Sequence, residues 1–474
     1  MGVWGKRWGT LVVLGVACGD PDGTPGTNSS NDGTGPTGDS TDGDPDTGSD
    51  TPAGIQGPHG EQFVEDASGT IYGADAYEGA GAALLWVDAD GDGDDDLLAL
   101  ADQETDPEDG PPYIGVWTEL PTGVSTFVNA AWTVNNDLST EQSRIRWMSA
   151  GDLSGDGQQD LLVERTLQSG GAETVLLAGP LNAIRSLAQS DAHLVFETGG
   201  EDLRWATVPD ITGDGLDDLV AGDPRSDELV QEGGEAWVFA GPLLGRREPD
   251  LAFAQVRGSI LREAIGGAMA AEDVDGDGIG DMVLAASIEH VYILEGPIQG
   301  SPTVQSAYSA RWTYDPLDEE ATSVYTSPVW VGDATGDGKA DMLFGSQDLR
   351  LVAGPLTGEL SEASVEATFP GATDFSVGDV NGDRIPDLLV GDGVYNPGVS
   401  AEEGIAFLYY GPMSGVQGAS DATFAPTNAL DGLGSAVGLG DGDGDGFDDV
   451  AIGVPGLDAG GVTAGAVLLF RGGA

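Results

Sequence analysis

Seven times along the chain an aspartate is followed at the third, fifth and ninth places by further side-chain oxygens. The first set, Asp88, Asp90, Asp92 and Asp96, lies in "LWVDADGDGDDDLLAL" (85–100). The others are Asp152, Ser154, Asp156 and Asp160; Asp210, Thr212, Asp214 and Asp218; Asp273, Asp275, Asp277 and Asp281; Asp333, Thr335, Asp337 and Asp341; Asp379, Asn381, Asp383 and Asp387; and Asp441, Asp443, Asp445 and Asp449. The third place varies only among Asp, Ser, Thr and Asn, all oxygen donors. A hard cation such as calcium takes about six to eight oxygens at about 2.3–2.6 Å, so close-set carboxylates on a glycine-containing loop suit it. Two carboxylates about 4 Å apart repel by roughly 1 kcal/mol in water and about 4 kcal/mol at an effective dielectric of 20, which favours ion uptake. Asp95, between the fifth and ninth places of the first set, is expected to be left to solvent.

Zinc is disfavoured, because no cysteine or histidine lies near the aspartates. An EF-hand is excluded by its twelfth place, which needs a bidentate Glu between helices. That place holds Ala99, Val163, Ala221, Leu284, Phe344, Val390 and Ile452, all apolar and within strand-like runs.

The elements that position these loops follow from their spacing, which is 64, 58, 63, 60, 46 and 62 residues. A second marker keeps step: an apolar run ending in Gly-Pro, with prolines at 180, 242, 297, 355 and 412. Two markers sharing a period of about 59 residues indicate an array of supersecondary units. Short apolar runs rich in Val, Phe and Trp and bounded by Gly, Asp and Pro are strand signals, about four per unit, with no helical period. The fold expected is all-β: a seven-bladed β-propeller over 59–474 with a cation loop in each blade. The last unit stops at "GAVLLFRGGA" without a fourth strand. The segment Glu61–Ala67 is expected to supply it and close the ring, which removes exposed strand edges.

Residues 1–18, "MGVWGKRWGTLVVLGVAC", read as an export signal with a basic start at Lys6 and Arg7 and a short apolar stretch. The sole cysteine, Cys18, sits where such a signal is cut, so the segment resembles a bacterial lipoprotein signal in which that cysteine is lipidated. Leu14 stands four residues before it, and Gly15 holds the third place, where these signals usually carry an aliphatic residue. A plain secretory signal is the alternative. Residues 19–58 read as a disordered Gly/Asp/Thr/Pro-rich tether. Its 36-residue polar part, 19–54, would reach roughly 30–36 Å. The chain is then expected at a bacterial outer membrane or cell surface, touching the membrane only through its anchor, or else secreted.

With 81 acidic and 17 basic residues the formal charge is −64, and Lys6 and Lys339 are the only lysines. That balance repels nucleic acid and anionic membrane. One cysteine allows no intrachain disulfide, so stability must come from burial or metals.

For catalysis the sequence offers little. His59, His193 and His290 are the only histidines, and no G-x-S-x-G, H-E-x-x-H, P-loop or cysteine nucleophile is present.

The loops resemble the FG-GAP repeats of integrin α-subunit propellers and the related VCBS-type repeats of bacterial surface proteins. The nearest copy is "LGSAVGLGDGDGDGFDDVAIGVPG", where "LGSAV" and "IGVPG" are similar to the FG and GAP parts. The resemblance implies a calcium between the first two strands of each blade, with the seventh place giving a backbone carbonyl. Those carbonyls would be on Asp94, Gln158, Leu216, Ile279, Lys339, Ile385 and Phe447. The sixth loop departs from the pattern, with Arg384 for the second glycine and Pro386 before Asp387, and the 46-residue interval leaves the size of the fifth blade open.

The function this implies is a non-enzymatic, calcium-binding surface propeller, a monomer that mediates adhesion or binds a protein or glycan through loops at one end of the ring. A secreted or surface enzyme of the polysaccharide lyase or phospholipase type is the alternative, and a structural envelope component a further one. An enzyme requires a cleft with a basic or titratable cluster, whereas a binding module requires an exposed aromatic or loop-built patch. Trp117, Trp132, Trp312 and Trp330 are candidates for such a patch, although strand tryptophans more often belong to the core.

Overall fold

The computed structural model describes residues 57–102, 111–136, 144–166, 172–194, 203–286, 290–313, 329–345, 348–370, 373–395, 404–415, 419–425, 432–458 and 463–473. The signal segment with Cys18, and the tether up to residue 56, lie outside the described residues. Gly57 and Pro58 already belong to the packed body. The Gly57 N–H donates to the Gly473 carbonyl at 2.7 Å, and the Tyr410 hydroxyl donates to the Pro58 carbonyl at 2.9 Å.

Seven antiparallel sheets form the ring of a β-propeller. The innermost strands are Ala80–Val87, Ile145–Gly151, Arg204–Val208, Ala268–Glu272, Val329–Gly332, Asp374–Gly378 and Val437–Gly440. The second strands are Asp96–Ala101, Asp160–Thr166, Asp218–Asp223, Asp281–Ala286, Asp341–Phe344, Asp387–Asp392 and Asp449–Val454. Each second strand therefore opens on the ninth-place aspartate of its loop. The third strands run Tyr113–Trp117, Ala172–Leu177, Glu235–Phe239, His290–Leu294, Asp348–Val352, Ile405–Tyr409 and Ala466–Phe470. The fourth are Trp132–Asn135, Ala192–Leu194, Ala254–Arg257, Ala310–Thr313, Val365–Pro370 and Ala422–Ala425, with Gly69–Tyr72 completing the seventh blade.

These strands read as continuous apolar runs because both faces of each blade are covered. In Asp96–Ala101, for example, Leu97, Ala99 and Ala101 pack toward the seventh blade while Leu98 and Leu100 pack toward the second. Successive side chains point to opposite faces, so one strand serves two interfaces. The core is thus divided into seven apolar clusters, one between each pair of neighbouring blades. Trp117, Trp312 and Trp330 are buried in them, and Trp132 is half-buried against one. They therefore build no exposed patch.

Ring closure differs from the sequence expectation in one respect. The strand that completes the last blade is Gly69–Tyr72, antiparallel to Ala466–Phe470, and not Glu61–Ala67. The stretch Gly60–Phe63 runs parallel to Ala422–Ala425 on the outer edge of the sixth blade. Val64–Asp66 then form a 3-10 turn. The same arrangement recurs: Gly123–Thr126 lies parallel to Gly69–Tyr72, Arg185–Ser186 to Trp132–Asn135, Gly245–Arg247 to Ala192–Leu194, and Gly358–Ser361 to Ala310–Thr313. Each strip covers the edge of the blade before it, which shields the amides that an outer strand would otherwise expose. The fifth blade, despite its short interval, has all four strands. The shortening falls in its connections at 345–348 and 370–374.

Ile71 is fully buried between the seventh and first blades. Ile71→Ala is expected to cost about 2–5 kcal/mol and to lower the melting temperature measured by calorimetry, as for a core position and not an edge.

Candidate metal loops

Each loop is folded by its own aspartates before any ion is considered. The first-place carboxylate accepts the N–H of the fifth and sixth residues in all seven copies, as when Asp88 accepts from Asp92 and Gly93, both at 3.1 Å. The fifth-place carboxylate accepts the N–H of the seventh residue in all seven, at 2.8–3.1 Å. This anchoring fixes the peptides of Asp94, Gln158, Leu216, Ile279, Lys339, Ile385 and Phe447 at the seventh place.

The ninth-place aspartates are buried at the foot of the loop. One oxygen accepts loop amides from the second or third place: Ala89 to Asp96 at 2.8 Å, Ser154 to Asp160 at 2.6 Å, Ile211 to Asp218 at 2.9 Å, Val274 to Asp281 at 2.9 Å, Thr335 to Asp341 at 2.8 Å and Val380 to Asp387 at 2.8 Å. The other oxygen accepts from the glycine of Gly-Pro: Gly179, Gly241, Gly296, Gly354 and Gly411, at 2.7–3.1 Å, with Gly472 in the last blade at 2.9 Å. The residue after four of the five prolines then reaches the previous blade. Leu181 N–H donates to the Ala89 carbonyl (2.5 Å), Leu243 to Leu153 (2.6 Å), Ile298 to Ile211 (3.0 Å) and Met413 to Ala334 (3.1 Å). The two repeated sequence markers are thus halves of one joint.

Asp95 is not left to solvent. It is half-buried, donates its N–H to the Asp441 carbonyl at 3.0 Å and accepts the Asp441 N–H at 3.3 Å, which ties the first loop to the seventh. The Asp217 and Asp448 carboxylates likewise accept the N–H groups of Asp152 (3.0 Å) and Asp379 (2.7 Å), and Asp448 also donates its N–H to the Asp379 carbonyl at 2.9 Å. Sequence reasoning missed this linkage, although the doubled aspartates at 95–96, 217–218 and 448–449 were its signal.

The sixth loop keeps the common geometry. Arg384 adopts φ 67° where the other loops have glycine, and its N–H still donates to Asp379 at 2.8 Å. The fourth-place glycine is under a second constraint: at Gly382, φ 73°, an added Cβ would lie 2.3 Å from the Phe447 ring of the next loop.

Carboxylate oxygens lie within 4.8 Å of one another at Asp88, Asp90 and Asp96, at Asp273, Asp275 and Asp281, and at Asp441, Asp443 and Asp445. These sets offer oxygen alone, which fits a hard cation and not zinc. Where the third place is Ser154 or Thr212, its hydroxyl donates to the ninth-place carboxylate at 3.3 or 3.4 Å, so those loops carry less charge. In the fifth loop Lys339 Nζ lies 2.5 Å from Asp337, and this hydrogen bond lowers the Asp337 pKa.

Burial pushes the ninth-place acids upward, Asp96 and Asp387 to about 7 and Asp160, Asp218 and Asp449 to about 6. Asp281 and Asp341 are raised for the same reason. Neighbouring carboxylates add to the effect, as Asp90 does at Asp96. Asp374, fully buried where the sixth blade meets the seventh, is raised to about 7.

The three histidines are spread over the ring. His59 packs edge-on to Tyr410, ring centroids 5.1 Å apart, His193 bonds Ser190 at 2.8 Å in the second blade, and His290 opens the third strand of the fourth. A wide-open depression beside Pro297 and Ile298 has Glu295 as its only titratable lining group.

At the opposite end of the ring, the connections carry exposed apolar side chains: Tyr77, Leu229, Ile260, Leu261, Val394 and Tyr395. Five of the six non-glycine residues with positive φ among the described residues lie there too, namely Tyr77, Glu232, Arg262, Ala264 and Thr463. The loops that carry Leu229, Ile260 and Leu261 are zipped together. Arg262 pairs with Glu232 at 3.2 Å, and the N–H groups of Arg262, Ala264 and Ile265 donate to the carbonyls of Gln231, Glu232 and Gly233 at 3.0–3.2 Å. A further exposed set, including Val124, Val128 and Ile184, lies on the outer strips.

No protein-family model and no curated protein matches the chain. Among solved structures it is similar to Raptor of Chaetomium thermophilum, with a TM-score of 0.46, 9% identity and 88% of this chain covered, though it spans 28% of that one. It is also similar to BBS1N, solved in complex with ARL6DN, with a TM-score of 0.44, 11% identity, and 88% and 98% of the two chains covered.

Two outcomes are expected of the loops. Because burial lifts these acids above the ordinary value of about 4, the folded chain binds more protons than the unfolded chain between about pH 4 and 7. In chelator the melting temperature therefore rises on acidification from about pH 8 to about pH 5.5. With calcium present the slope reverses, since protons then displace the ion. Thermal melts at the two pH values, with and without chelator, measure both slopes. Separately, Arg384→Gly relieves a left-handed arginine and is expected to stabilise the chain by about 1 kcal/mol in denaturant titration.

Proposed function

We propose that this chain is an exported, non-enzymatic propeller, fastened by calcium at one end and binding a protein or glycan with the loops at the other. The observation that carries the reading is the division of the ring's two ends. One end holds all seven aspartate loops in a network of hydrogen bonds committed to joining blades. The other displays apolar side chains on backbone held in sparsely populated conformations, which persist only where the surroundings enforce them and tend to mark functional sites. Exposed apolar groups on pre-ordered loops suit recognition, because little side-chain and loop entropy remains to be lost on binding.

Calcium in this reading is structural. An ion that binds the folded loop and finds no formed site in the unfolded chain contributes its binding energy to folding, about 2.7 kcal/mol per site at a hundredfold excess over Kd. The ninth-place carboxylates, raised by burial, gain a partner when the ion binds. Chelation is expected to lower the melting temperature by several degrees and calcium to restore it, and an unchanged melt in excess chelator sinks the calcium reading. The signal and tether support export and display at the surface, with lipidation of Cys18 as the anchor.

The enzyme alternative requires a titratable cleft, and among the described residues the histidines stand apart while the depression near Pro297 holds one carboxylate. The test is a screen of the full chain against glycans and surface proteins, followed by the double variant Leu229→Asp, Leu261→Asp. Binding is expected to fall at least about tenfold with an unchanged melting temperature. Binding untouched by the variant overturns the docking face, and turnover of a polysaccharide or phospholipid overturns the non-enzymatic reading.

A further inference from the structure

We infer that the seventh loop carries its own cation, the Arg471 guanidinium, and is held shut without the metal that the other loops take. The inference rests on the calcium reading of those loops and concerns how this one departs from it. Arg471 lies 2.8 Å from Asp443 Oδ2 and 2.8 Å from Asp449 Oδ2, so it bridges the third and ninth places. In the first, third, fourth and sixth loops the corresponding ninth-place oxygen accepts the N–H of the second residue. In the second, fifth and seventh loops the second-place N–H turns instead to a carbonyl two residues back, Gly442 to Gly440 at 3.1 Å in the seventh; the third-place amides of Ser154 and Thr335 then take the ninth-place oxygen, whereas in the seventh the guanidinium does.

The clustering of carboxylates changes accordingly. In the first and fourth loops the grouped acids are at the first, third and ninth places, whereas in the seventh they are Asp441, Asp443 and Asp445, at the first, third and fifth. Asp449, bonded to the arginine, is not in that set. Strand register aligns Arg471 with Thr118, Ala178, Ala240, Glu295, Ala353 and Tyr410 in the other blades, and none of these is basic. The substitution falls on the blade where the two ends of the described chain meet, with Gly69–Tyr72 completing the sheet. A tethered cation there keeps the seam closed whatever the ion concentration, because a guanidinium fork matches carboxylate geometry and remains charged at all relevant pH.

Equilibrium dialysis of the full chain against calcium counts the ions held. Arg471→Gln is expected to hold one more ion than the parent chain. In the parent background Asp443→Asn is expected to leave the count unchanged, while Asp275→Asn, at the same place in the fourth loop, lowers it by one. Equal counts for the parent and Arg471→Gln, or loss of an ion in Asp443→Asn, overturn the inference but leave the calcium reading standing. A chain that holds no ion in any form overturns both. Should Arg471→Gln fail to fold, the Asp443→Asn comparison decides.

Discussion

The ring depends on one buried side chain repeated seven times, the aspartate that opens the second strand of each blade. A carboxylate in that position has lost much of its water, and it is tolerated because it accepts backbone N–H groups, on both oxygens in five of the seven copies. One set of those amides comes from the loop above it, the other from the glycine before the turn into the fourth strand. The residue after that turn is bonded to the neighbouring blade. Loop, hairpin and blade interface are therefore a single mechanical unit, and disturbing the carboxylate would loosen three things at once. A hydrogen bond to a charged acceptor contributes more than a neutral one, about 1.5–3 kcal/mol, which is why a polar joint can compete here with apolar packing.

The consequence for function is an asymmetry between the ends of the ring. At the loop end the first-, fifth- and ninth-place carboxylates hold backbone, and the doubled aspartates at 95, 217 and 448 stitch one loop to the next. At the other end the connections vary in length, from the short links of the fifth blade to the longer ones of the third and sixth, and they carry the exposed apolar groups. Variation in loops mounted on a fixed scaffold is the usual way such folds acquire specificity.

Much of this was legible in the sequence, and for identifiable reasons. The period of the aspartates and of Gly-Pro gave seven units, and short two-sided apolar runs gave four strands in each. Of the aspartates at the first, third, fifth and ninth places, three come together in each of the first, fourth and seventh loops. Closure was misplaced by one element. Glu61–Ala67 has strand character, but what distinguishes an edge strip from a closing strand is the partner it pairs with, and that information lies some 360 residues away at Ala422. Asp95 was misread for a similar reason: its partner, Asp441, is at the far end of the chain. Contacts that span the ring have no local signature. By contrast, Arg384 shows that a loop can keep its geometry against local preference when hydrogen bonds on both sides of the residue enforce it.

A chain with a formal charge of −64 faces a general problem, since like charges destabilise a compact state by mutual repulsion. The loops intensify it by gathering carboxylates within a few ångströms of one another. Three kinds of counter-charge answer it at different places. Backbone N–H dipoles do so in every loop, a bound cation is suited to the richest acidic sets, and at the seam a guanidinium is built into the chain. Amides and guanidinium are always present, whereas an ion depends on its surroundings. Backbone amides hold every loop, and a hard cation at the acidic sets of the first and fourth would add to that hold.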